Sequence, residues 1–97
     1  MQLSDEQLQQ IKDYFTGKPV LKAYLFGSYS RNEADEESDI DILVDLDYTK
    51  HIGLQFVEMY LDLQEKLNKK VDLVSSEGVS RHIAPFIEKD KILIYER

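Results

Sequence analysis

Apolar positions change period several times along the chain, and each change marks an element. Leu8, Ile11 and Phe15 recur at helical spacing, behind a capping box of Ser4 with Gln7 three residues on, and Gly17 and Pro19 stop that helix. "VLKAYLF", residues 20–26, reads as a strand ending at Gly27, and residues 28–33 fit one or two helical turns. "DIDILVDL", residues 39–46, is a second strand. Its centre, Ile42-Leu43-Val44, is apolar on both faces, as a central strand requires. A longer helix is predicted from Gly53 to about Asn68. Phe56, Tyr60, Leu63 and Leu67 form one apolar row and Leu54, Val57 and Leu61 the adjoining one, together a broad stripe expected to be buried. "VDLV", residues 71–74, is a third strand. Residues 79–89 read as helical, with Val79, Ile83, Phe86 and Ile87 on one side, and Pro85 either starts a second short helix or kinks the first. "KILIY", residues 91–95, reads as a last edge strand. The order α-β-α-β-α-β-α-β predicts an α/β (α+β) class: a small mixed sheet with helices packed on it, as one domain over residues 1–97.

Composition narrows the chemistry. Cysteine is absent, which removes disulfides, thiolate metal sites and a cysteine nucleophile, and fits a reducing, cytoplasmic setting. His51 and His82 are too few and too far apart in sequence for a zinc site, so any metal would be a hard cation held by oxygen. Apolar runs fall far short of a membrane span, and the polar, acidic N-terminus does not resemble a signal or transit peptide. A formal net charge of −7 disfavours nucleic acid as a direct partner and leaves a basic protein or a metal–nucleotide complex. The one dense basic group, Lys66, Lys69 and Lys70, reads as cations at the negative end of a helix dipole.

Six acidic residues fall within positions 33–41. Glu33, Asp35, Glu36 and Glu37 show no periodicity and read as a solvated loop. Asp39 and Asp41 differ, because side chains two apart on a strand share a face, about 6.6 Å apart along the chain. Like charges so close raise each other's pKa unless a cation intervenes. Two divalent ions about 3.5–4 Å apart are the recurring arrangement for transfer at phosphorus. Asp72, the one charged residue within Val71–Val74, is costly to bury without a partner or metal, and faces the pair if its strand lies beside residues 39–46. An EF-hand does not fit, since Ile42, Leu43 and Val44 occupy positions that need oxygen ligands and a glycine.

Gly27-Ser28, between a strand and a helical turn, offers close backbone approach and a hydroxyl to a phosphate, although alone it is also an ordinary turn. Arg31 suits a paired hydrogen bond with phosphate or, equally, a surface pair with a neighbouring Glu. Gly27-Ser28, ten residues, Asp39-x-Asp41 and then Asp72 on a later strand resembles the signature of DNA polymerase beta-like nucleotidyltransferases, over about Val20 to Val74. By length the chain resembles their minimal subgroup, commonly the antitoxins of HEPN–MNT toxin–antitoxin pairs. One departure is Asn32, where many relatives carry glycine, although asparagine tolerates positive φ.

The resemblance implies that Gly27 and Ser28 hold a nucleoside triphosphate, with Arg31 a further candidate for its phosphates. It implies that Asp39 and Asp41 bind two magnesium ions, and that Asp72 binds the metal that activates the acceptor and is a candidate to take its proton. The acceptor hydroxyl then attacks the α-phosphorus in line and pyrophosphate leaves. For the minimal subgroup the implied donor is ATP, the acceptor a tyrosine of the HEPN toxin, and the assembly a hetero-oligomer. The competing readings are an antitoxin that acts by binding alone and a nucleotidyltransferase for a small molecule or tRNA end.

Overall fold

A computed structural model describes residues 2–97. Its frame is a four-stranded sheet in the order β3-β2-β1-β4, formed by β1 (Val20–Phe26), β2 (Ile40–Leu46), β3 (Val71–Ser75) and β4 (Ile92–Glu96). β1 runs antiparallel to both β2 and β4, whereas β2 and β3 are parallel, so the sheet is mixed. The parallel step requires a crossover, and α2 (Gln55–Leu67) supplies it. The apolar run Ile42-Leu43-Val44 lies in the central strand β2 and is buried throughout.

α1 (Asp5–Phe15) begins at the expected capping box: the Gln7 amide donates to Ser4 Oγ at 3.0 Å, and the Ser4 amide donates to Gln7 Oε1 at 2.9 Å. Ile11 and Phe15 then enter the core, and Leu8 packs against its margin. Ser4→Ala removes one half of that reciprocal cap. It is expected to destabilise the protein by about 1 kcal/mol, read as a lower urea midpoint at unchanged slope.

α1 and α2 cover one face of the sheet. Ile40, Ile42 and Val44 of β2 join Ile11, Phe15, Met59 and Leu63 in a single buried cluster. A bulge between Val20 and Lys22 shifts the side-chain alternation, so that Val20, Ala23 and Leu25 all reach this core. Leu43 points the other way and is buried outside the cluster, as is Ile87 of α3 (Ala84–Asp90), which packs on β1. The second face is therefore covered only in part.

Two helical expectations are corrected. In α2 the buried stripe is Phe56, Met59, Tyr60, Leu63 and Leu67, while Leu54, Val57 and Leu61 face solvent. α2 packs along the edge strand β3 and against α1, so one row meets the core and the adjoining row turns past the sheet edge. In the later segment only residues 84–90 are α-helical, with Pro85 in the first turn, where a missing N–H costs nothing. Ile83 and Phe86 are exposed there, and Ile87 alone of the expected apolar side is buried.

Candidate active site

β1 delivers the chain to the site. Its last residue, Phe26, pairs with Asp41, and Gly27 follows at φ +73°, a left-handed conformation that favours glycine. A Cβ on Gly27 would run into the Asp41 carboxylate, so the missing side chain lets the turn lie against that carboxylate. Residues Gly27–Tyr29 form one 3-10 turn, the short end of the expected range. Ser30 and Arg31 donate their amides to the Gly27 carbonyl at 3.1 and 3.2 Å, and the Glu33 amide donates to the Ser28 carbonyl at 2.9 Å. Asn32 takes φ +58°, a left-handed conformation that asparagine tolerates.

The parallel register of β2 and β3 sets Asp41 directly opposite Asp72. Alternation turns both away from the face covered by α1 and α2, and Asp72 is exposed. Asp39, just before β2, shares the parity of Asp41 and pairs with Lys70 at 3.7 Å. Both of these side chains are well exposed, so the pair is weak. Burial above all, followed by the charges of Asp72 and then Asp39, pushes the Asp41 carboxyl up to about 6, against a downward pull from Arg31.

An all-oxygen donor set suits a hard divalent cation. Among the described residues no three His or acidic side chains close into a ready-made cage. Magnesium seldom takes an all-protein cage; one or two carboxylates plus substrate phosphates usually hold it. The carboxylates on β2 and β3 fit that arrangement, beside the turn that Gly27 allows to lie against Asp41.

The other singled-out residues divide. The Arg31 guanidinium pairs with Glu33 at 3.2 Å and, unexpectedly, with Asp90 at 2.6 Å. Glu33, Asp35, Glu36 and Glu37 of the acidic loop are all exposed, and Asp35 also braces the loop. Its Oδ1 accepts from the Glu37 amide at 2.9 Å and from Ser38 Oγ at 3.2 Å. Lys69 donates to the Glu36 carbonyl at 2.8 Å, so the basic group also fastens this loop. His51 and His82 are both exposed. A wide cleft of about 820 Å³ lies elsewhere, between α1 and α2, lined by Asp13, Tyr14, Lys18, Asp62 and Lys66 among others. Its central groups already serve one another, Tyr14 donating to Asp62 at 2.6 Å beneath Lys18 and Lys66.

The sequence matches the family described as polymerase beta, nucleotidyltransferase, over residues 9–97. It is similar to a candidate protein adenylyltransferase of Methanocaldococcus jannaschii, with 35% identity over 86 residues, 87% of this chain and 83% of that relative. Protein adenylyltransferase MntA of Thermococcus cleftensis is 37% identical over 70 residues, 72% of this chain and 70% of its own. Among solved structures, a complex of tri-AMPylated HEPN toxin with MNT antitoxin from Shewanella oneidensis aligns with a TM-score of 0.64. The identity there is 23%, over 93% of this chain and 73% of that one, a likeness of fold.

Proposed function

We propose that this chain, which belongs to the polymerase beta nucleotidyltransferase family, is the antitoxin enzyme of a HEPN–MNT pair. In this reading it transfers AMP from ATP to a tyrosine hydroxyl of its cognate HEPN toxin. The observation that carries the site is Asp41, set opposite Asp72 and against the Gly27 turn, on the sheet face that is covered only in part. The relatives named protein adenylyltransferase and the AMPylated toxin bound to an MNT antitoxin support AMP as the transferred group and a HEPN toxin as the protein that receives it.

In the proposed site Gly27 and Ser28 seat the triphosphate and Arg31 pairs with its phosphates. Asp39, Asp41 and Asp72 hold magnesium, two ions in the family's general arrangement. When bound, the metal neutralises charge on the phosphates and lowers the pKa of the acceptor hydroxyl. Asp72, exposed on edge strand β3, is placed to meet a hydroxyl arriving from outside and to take its proton. The bond from the acceptor oxygen to the α-phosphorus forms, and the bond to the pyrophosphate oxygen breaks. Residues 1–97 are read as one nucleotidyltransferase domain, to which the toxin presents its own tyrosine. A net charge of −7 suits docking on a basic surface, and the setting is read as cytoplasmic. Among the described residues no helix is long and apolar enough to cross a membrane.

Purified partner incubated with ATP labelled on the α-phosphorus should gain label on a tyrosine and release pyrophosphate. ATP labelled on the γ-phosphorus should leave the partner unlabelled. Label from the γ position, or none from the α position, would overturn the reading.

A further inference from the structure

We propose that Asp90, at the C-terminal end of α3, is a positioning residue that holds the Arg31 guanidinium at the mouth of the nucleotide site. The inference rests on the reading of Arg31 as a phosphate contact. Arg31 stands on the turn after Gly27, and Asp90 lies 59 residues further along the chain. Their bond, Arg31 Nη1 donating to Asp90 Oδ2 at 2.6 Å, is a short charge-assisted one. Asp90 is the sheltered partner, its side chain 18% exposed against 63% for Glu33, which accepts from Arg31 Nε at 3.2 Å. The neighbouring Lys91 does not compete for Asp90, because its ammonium donates to Glu88 at 2.9 Å.

The pair has a direction. A free arginine samples many rotamers, and ordering it on binding weakens a ligand's affinity. Here one Nη and Nε are fixed by carboxylates, which leaves Nη2 for an incoming phosphate. The Arg31 amide donates to the Gly27 carbonyl at 3.2 Å, and Gly27 lies against the Asp41 carboxylate, so the restrained arginine belongs to the turn that borders the carboxylates. α3 packs on β1, the strand that leads into the Gly27 turn, so the anchor and the turn share one support.

The test is calorimetric titration with magnesium and a non-hydrolysable ATP analogue, applied to wild type, R31A, D90N, D90E and the R31A/D90N double variant. D90N is expected to weaken binding about tenfold, D90E to restore most of it, and D90N to add nothing in the R31A background. Wild-type affinity in D90N overturns the role of Asp90. An equal loss from D90N with and without Arg31 also overturns it, because Asp90 would then act through the fold at large. If R31A itself binds like wild type, the assignment of Arg31 to phosphate fails instead.

Discussion

Asp39→Asn together with Asp41→Asn is expected to lower AMP transfer about a thousandfold or more while leaving the fold intact. Asparagine keeps the size of each side chain but removes the charge that a divalent cation needs. Neither residue belongs to the buried cluster, so packing changes little. Stability should change with the opposite sign. The folded pKa of Asp41, about 6, lies above the ordinary 3.8, so the native state binds protons more tightly than the unfolded chain. Its contribution therefore weakens as pH rises through the window from about 4 to 6, and the full penalty is present above it. With divalent cations chelated, the double variant should melt higher than wild type at neutral pH and lack that slope. A variant that melts lower at every pH would show that these carboxylates serve the fold.

The second large effect is expected at Gly27. An alanine there must hold φ +73° and drive its Cβ into the Asp41 carboxylate. The backbone strain alone costs about 1–2 kcal/mol, and relief of the clash requires the carboxylate to move. Gly27→Ala should therefore lower thermal stability and reduce transfer about a hundredfold, the usual result of displacing a catalytic group by about 1 Å. Stability lost with transfer unchanged would separate the turn from the chemistry.

Features carried by short segments were legible in the sequence. The Ser4–Gln7 box announces α1, and Ile42-Leu43-Val44 announces a strand covered on both faces. The Asp39-x-Asp41 spacing places two carboxylates on one face through alternation alone. Asp72 was readable as an anomaly in an apolar strand, but its place opposite Asp41 depends on a parallel register that no local signal encodes. The exposure of Leu54, Val57 and Leu61 escaped for a related reason: helical periodicity fixes the angle between rows, not where the sheet ends. Asp90 was invisible, since nothing in its own segment points to an arginine 59 residues earlier. The bulge at Val20 and Lys22 likewise arises from pairing with β2, not from a glycine or proline in the strand.

The most direct test of the proposed activity is the intact mass of the cognate HEPN partner, co-expressed either with the wild-type chain or with the Asp39→Asn/Asp41→Asn variant. The partner is expected to gain the mass of one or more AMP groups beside the wild-type chain and none beside the variant. An unmodified partner that forms an equally stable complex with both chains would contradict the proposed activity and identify an antitoxin that neutralises by binding alone.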